Sequence, residues 1–170
     1  MISDKNFKIS NNNKLLIIKK LAECSGHTGI AGGQELDLKF EKKKLGLKKI
    51  INMQRKKTGK LFKFCCLAPA IVSGAKNKTI KDMSIIGEEL GLLFQIADDL
   101  LDLKGNKKNV GKPVNKDKKK GKSTLIKLLG YKKTLEFAFK RKKMIISKLN
   151  KYGNKSKSLC EVTDFILDRS

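Results

Sequence analysis

The sequence predicts an all-α protein of antiparallel helices, forming a single domain over residues 1–170. Three observations carry this. Apolar residues return at helical spacing in every long segment, and no run shows the strict alternation of a strand. The two longest helical segments are separated only by a short turn at 74–78, and short connections make antiparallel neighbours. A length of 170 residues with 39% hydrophobic content suits one domain with one core. No internal repeat of solenoid period is visible.

The elements follow in order. Leu15, Leu16, Ile18, Leu21 and Ala22 form a first helical stripe. Gly26, Gly29, Gly32 and Gly33 then cluster. Each glycine weakens a helix by about 1 kcal/mol, so the cluster means a kink, a turn, or close approach of another backbone or ligand. Residues 37–47 read as a charged connection. A long helix is expected over 48–73, with Ile50, Ile51, Met53, Leu61, Phe62, Phe64, Cys65 and Leu67 apolar and Pro69 kinking or ending its first part. Thr79 is expected to cap the next helix, with Asp82 in its first turn, and Gly105 to end it after about Lys104. Residues 106–121 form a lysine-rich loop with Pro113, polar enough to be mobile. Ser123 caps a short helix to Leu129, and helices over 131–149 and 158–167 follow. In the last one Leu159, Val162, Phe165 and Ile166 form the inner face.

A net charge of +24 invites a nucleic-acid reading. The basic residues are 37 Lys and only three Arg, namely Arg55, Arg141 and Arg169. Base-edge readout favours Arg. There is no Trp, and aromatics make up 6%, so stacking platforms are scarce. The lysines are spread along the whole chain, and Asn and Ile are also abundant, as AT-rich coding would give. No specific nucleic-acid partner is expected. Cys24, Cys65, Cys66 and Cys160 form no C-x-x-C pair, and His27 is the only histidine, so a zinc site lacks its ligands. Cys65 and Cys66 read as reduced, core-facing residues, and a disulfide framework is not expected in a chain of this size. The polar start at 1–13 lacks a signal core, and no run of ~18 apolar residues marks a transmembrane segment. The cytoplasm is the default compartment.

The most informative stretch is 91–102, an apolar helical segment that ends in Asp98, Asp99 and Asp102. On a helix Gln95, Asp98 and Asp102 share a face, with Asp99 close beside them. Two carboxylates about 6 Å apart repel by roughly 3 kcal/mol at an effective dielectric of ~20. A hard divalent cation offsets that, and Mg²⁺ takes one or two carboxylates together with waters and phosphates. The bland alternative is a solvated acidic turn. Gly32-Gly33-Gln34-Glu35-Leu36-Asp37-Leu38 lies upstream, Lys57-Thr58-Gly59 between, and Gly111-Lys112 about one loop downstream. Gly121-Lys122-Ser123-Thr124 then opens another helix. A phosphate-binding P-loop would need glycine at position 116 and a preceding strand; Lys116 stands there and no strand precedes.

This order resembles the C-terminal half of the trans-prenyltransferases, the polyprenyl synthetase family, from about Lys14 to Arg169. The resemblance implies the C-terminal part of the isoprenoid-synthase helical bundle, with the glycine cluster kept as a helix in close contact with its neighbours. It implies Mg²⁺-dependent condensation of isopentenyl diphosphate with an allylic diphosphate, of the farnesyl or geranylgeranyl diphosphate synthase type. The allylic diphosphate ionises, the carbocation alkylates the double bond of isopentenyl diphosphate, and a proton leaves. The resemblance assigns Asp98 to Mg²⁺ directly, Asp102 through water, and Asp99 to the metal as an indirect or water-mediated partner. It assigns Lys57 and Lys112 to the leaving diphosphate, Thr58 and Gln95 to the neighbourhood of the developing cation, and Phe94 to packing against isopentenyl diphosphate. Each has a bland counterpart: a surface lysine among 37, or a packing phenylalanine. The closing segment 164–169 resembles the family's last helix, whose terminal Arg sits near the site's mouth; a frayed surface end is the other reading of Arg169. Gly32-Gly33-Gln34 also occurs at the tip of translation release factors, but Glu35-Leu36-Asp37-Leu38 and the helical context point to the prenyltransferases. The Gln34 and Asp37 pattern leans toward short-chain products.

Family members carry a first aspartate-rich motif well upstream of the Gly-Gly-Gln segment. Here 31 residues precede Gly32, with Asp4 and Glu23 as their only acids and no Arg. The chain is therefore expected to be inactive alone and to need an N-terminal half or a full-length synthase subunit, in a homo- or hetero-oligomer. A non-catalytic partner subunit and a polyanion-binding basic fragment are the competing readings.

Overall fold

The computed structural model describes residues 4, 6, 8–104 and 124–169, and of Lys104 the backbone alone. Every regular element among them is helical. Helix α1 (Asn11–Ser25) opens at Ser10, whose hydroxyl accepts the amide of Asn13 at 3.2 Å. The glycine cluster then divides. Residues 26–29 turn the chain, and Gly32 and Gly33 lie buried inside α2 (Ile30–Lys39). The expected connection over 37–47 starts later than its charges suggested: Asp37 is on α2 and only 6% exposed.

The helix expected over 48–73 is interrupted in its hydrogen bonding. It comprises α3 (Leu47–Gln54), a π-helical turn (Arg55–Gly59) and α4 (Lys60–Val72). Pro69 sits inside α4 without ending it. The carbonyl that loses its donor belongs to Cys65, whose side chain is exposed, so water can serve it. Cys65 is thus not core-facing as expected; Cys66 alone of the pair packs against the core. All four cysteines are free.

Helix α5 (Asn77–Lys104) opens before Thr79, because the amide of Ile80 already bonds the carbonyl of Lys76 at 3.1 Å. Thr79 therefore lies in the first turn and does not cap it. Gly105, the loop over 106–121 with Gly111 and Lys112, and residues 121–123 lie outside the described residues. The short helix α6 (Leu125–Leu129) is capped by Thr124, whose hydroxyl accepts the amide of Lys127 at 3.3 Å, where Ser123 was expected. Helix α7 (Tyr131–Leu149), a 3-10 stretch (Asn150–Ser156) and α8 (Lys157–Asp168) complete the chain.

Helices α4 and α5 run antiparallel. A β-carbon at Gly87 would meet the carbonyl oxygen of Phe62 at 2.5 Å, and one at Gly91 would meet the Cα of Gly59 at 2.6 Å. Numbers fall on one helix as they rise on the other. The Gly59–Gly91 contact lets two backbones touch where any side chain would push them apart.

Helix α5 is the centre of the core. Ile86, Leu90, Leu92, Leu93, Ile96, Ala97 and Leu100 are buried around it with Ile50, Leu125, Ala138, Ile145, Leu149, Ile166 and Leu167. Ile17, Leu67 and Ile71 form a smaller cluster where α1 packs on α4. Helix α8 buries a stripe rotated from the expected one. Thr163, Ile166 and Leu167 are inside, while Val162 and Phe165 are exposed. Threonine can take the inner position because its hydroxyl donates to the Leu159 carbonyl at 2.7 Å and leaves nothing unpaired. No helix among the described residues is long and apolar enough to cross a membrane.

Candidate functional site

The π turn is the local feature that builds the site. A π turn widens the helix by one residue and changes which side chains share a face; such turns recur at functional sites. Here successive side chains leave it toward two different helices. Gln54 donates from Nε2 to Asp99 Oδ2 at 3.2 Å. Arg55 pairs with Glu89. Lys57 Nζ donates to Asp37 Oδ2 at 2.6 Å, and Thr58 Oγ1 donates to Gln95 Oε1 at 3.2 Å. Lys60, just beyond, pairs with Glu88 at 2.7 Å. Glu88, Glu89, Gln95 and Asp99 belong to α5, and Asp37 to α2.

Helix α2 comes close enough to reach Lys57 because Gly33 has no side chain. A β-carbon there would lie 2.2 Å from the backbone nitrogen of Lys57. Asp37 stands one helical turn on from Gly33, on the same face. The glycine admits the turn and the carboxylate takes its ammonium. The Lys57 side chain keeps 31% exposure while Asp37 keeps 7%, so the lysine is partly open to solvent and the carboxylate is buried.

The three aspartates part company. Asp99 is buried, with its carboxylate against Gln54. Asp98 keeps 40% side-chain exposure and accepts from Arg169 Nη2 at 2.8 Å. Asp102 is half-buried one turn further on, on the face of Asp98. One residue of helix is about 100° of rotation, which is why neighbours 98 and 99 diverge. Among the described residues no three acidic, His or Cys groups gather into a ready metal cage. Mg²⁺ does not need one: one or two reachable carboxylates and a phosphate complete its shell. Asp98 and Asp102 have that donor chemistry, hard oxygens on one partly open face, and they fit the ion. Asp99 turns its carboxylate to the interior.

Arg169 closes this end. Its guanidinium lies 4.1 Å from the centroid of the Phe94 ring, donates to the Phe94 carbonyl at 3.4 Å, and is tied to its own helix through Nε on the Ile166 carbonyl at 3.3 Å. It is no frayed end. Phe94 also meets Phe62 with ring centroids 5.4 Å apart. The structure therefore brings Thr58, Gln95, Phe94, Asp98 and Lys57 to the π turn and the facing length of α5. Lys112, expected here, lies outside the described residues. Gln34 is exposed on α2. Sequence reasoning missed the role of Asp37 as the partner of Lys57, and of Gln54 as that of Asp99. Asp37 carried a signal, its place one turn after Gly33; Gln54 carried none.

Comparison with known proteins agrees with this geometry. A profile of polyprenyl synthetases matches residues 5–163. A farnesyl diphosphate synthase of Bacillus subtilis (strain 168) is 32% identical over 158 residues, covering 91% of this chain and 53% of that protein. The solved FPP/GFPP synthase of Zymomonas mobilis superposes with a TM-score of 0.84 at 30% identity, over 97% of this chain and 55% of its own. A geranyltransferase from Helicobacter pylori, solved with magnesium and isoprenyl diphosphate, gives 0.79 at 26% identity, over 96% and 54%. The chain thus spans about half the length of these relatives. Matched along nearly all of its length in sequence and in fold, this chain belongs to the polyprenyl synthetase family.

Proposed function

We propose that the chain carries the diphosphate-binding half of a prenyl chain-elongation site of the farnesyl or geranylgeranyl diphosphate synthase type. The observation that carries this is the π turn packed on α5, with Lys57 held by Asp37, Thr58 bonded to Gln95, and Asp98 one turn along α5 from Gln95. Asp98 and Asp102 would hold Mg²⁺, which when bound neutralises charge on a departing diphosphate. Lys57, partly open to solvent, supplies an ammonium poised on Asp37 and free to turn toward a phosphate oxygen. Lys112 is assigned a second ammonium by the resemblance. Thr58 and Gln95 hold each other by one hydrogen bond, so both oxygens keep fixed positions beside a developing cation. Phe62 and Phe94 screen that side from water. Asp99 serves from behind, holding Gln54 at the root of the turn.

The substrates in this reading are an allylic diphosphate and isopentenyl diphosphate. Leu15 and Ile18 on α1, exposed at 65% and 47%, are assigned to contacts with the remaining family helices, from the same chain or another. The 170 residues alone bind diphosphate weakly and do not condense. They hold one aspartate-rich cluster where the family reaction uses two, and each ~1.4 kcal/mol of lost charge stabilisation is tenfold in rate. The test is binding of a non-ionising thio analogue of an allylic diphosphate, with and without Mg²⁺, beside a radiolabelled condensation assay. Mg²⁺-dependent binding without turnover is expected. No binding in Mg²⁺ contradicts the site; turnover by the isolated chain contradicts the half-site.

A further inference from the structure

The chain's three arginines stand against its 37 lysines. Lysine serves where a hydrated point charge is enough, whereas arginine alone offers a planar fork of donors and a stacking face. Two of the three arginines use the stacking face, and two share one carboxylate. Arg169 stacks on Phe94 and donates to Asp98. The other two meet on one carboxylate. Arg55 donates from Nη2 to Glu89 Oε1, and Arg141 from Nη1 to Glu89 Oε2 at 3.4 Å. Arg141 also lies over the Phe137 ring, 4.6 Å from its centroid. The Glu89 side chain is 8% exposed. A single buried carboxylate thus ties together the first residue of the π turn, the middle of α5 and the middle of α7.

Stability alone does not select this arrangement. Buried ion triads commonly stabilise no more than apolar residues of the same volume. Here Nε of both Arg55 and Arg141 is buried with no hydrogen-bond partner among the described residues. Each such orphan carries a desolvation cost that no hydrogen bond offsets. Leu90 and Ala138, on the same two helices, show that the neighbourhood takes apolar side chains readily. What the triad supplies is direction. Hydrogen-bonded ion pairs depend on angle, while apolar contacts depend on distance alone. Lys57 and Thr58 follow Arg55 by two and three residues, inside the same π turn.

We infer that Glu89, bridged by Arg55 and Arg141, is a positioning residue that aims the Lys57–Thr58 turn at the diphosphate site. The inference rests on the diphosphate reading above. Its test uses the 170-residue chain and Arg141→Lys, which keeps the charge and removes the planar guanidinium. Mg²⁺-dependent affinity for inorganic pyrophosphate should fall roughly tenfold. The far-UV helical signal should stay as in the wild type. Backbone amides of 55–59 should exchange faster with deuterium, while those of 92–97 keep their rates. Glu89→Gln should move both readouts the same way; if that variant does not fold, Arg141→Lys still decides. Wild-type affinity in Arg141→Lys overturns the proposal, whether or not exchange changes. So does faster exchange spread evenly over α5 and α7, which would make the triad a plain stabiliser. If the wild type itself binds no pyrophosphate, the diphosphate reading fails, and the exchange alone judges the triad: acceleration confined to 55–59 upholds it and unchanged rates overturn it.

Discussion

The π turn and the α7–α8 pair both pack on α5, by opposite means. From α7 and α8 come Ala138, Ile145, Leu149, Ile166 and Leu167, all buried and apolar; Thr134 and Thr163 satisfy their hydroxyls on their own helix, and Arg141 reaches Glu89. From the turn and its flanks come Gln54, Arg55, Thr58 and Lys60, each bonded to a polar side chain of α5. Apolar burial is nondirectional and scales with area, so the α7–α8 side supplies stability and accepts small shifts. Hydrogen bonds and ion pairs weaken steeply with angle, so the turn side supplies placement. Lys57 and Thr58, proposed to meet a diphosphate, lie on the side held by directional bonds.

This contrast can be broken from either side. Ile145→Ala on α7 should destabilise the fold by about 2–5 kcal/mol, seen as a lower denaturant midpoint. Its folded fraction should bind pyrophosphate as the wild type does. Gly91→Ala forces a β-carbon to 2.6 Å from Gly59 and should cost about 1–3 kcal/mol. Unlike Ile145→Ala it pushes the turn off α5, so affinity should fall along with the midpoint. Thr58→Val removes one hydrogen bond to Gln95 and should shift stability by about 1 kcal/mol, with a larger relative effect on binding an allylic analogue. The smallest effect sharpens the boundary of α4. Cys65 is exposed, whereas burial, with a lesser contribution from Cys65, pushes the Cys66 thiol up to about 11. Alkylation near pH 8, followed by peptide mass analysis, should label Cys65 and spare Cys66.

Long periodic segments between strong punctuation were legible. Helix α7 begins and ends where the stripe does, at Tyr131 and Leu149. Where a partner distant in sequence decides, the pattern was silent. Asp37 stands one turn after Gly33 among Glu35, Lys39 and Glu41, but its burial depends on an ammonium twenty positions away. Nothing in Arg55-Lys56-Lys57-Thr58-Gly59 separates a π turn from an α turn, since the difference is one of tertiary bonding. Thr163 was passed over as core because its self-satisfied hydroxyl is invisible to a hydrophobic count. The Asp-rich end of α5 was found, yet its split into an inward Asp99 and an outward Asp98 needed the facing Gln54 and Arg169.

The central claim is a Mg²⁺-dependent diphosphate site at Asp98 and Lys57. Titration calorimetry with inorganic pyrophosphate at saturating Mg²⁺, on the wild type and on Asp98→Ala, tests it most directly. The account predicts a binding heat for the wild type that vanishes in Asp98→Ala and on chelation of the metal. Equal binding by both proteins, or binding that survives chelation, would contradict it and assign the heat to the general field of a +24 chain.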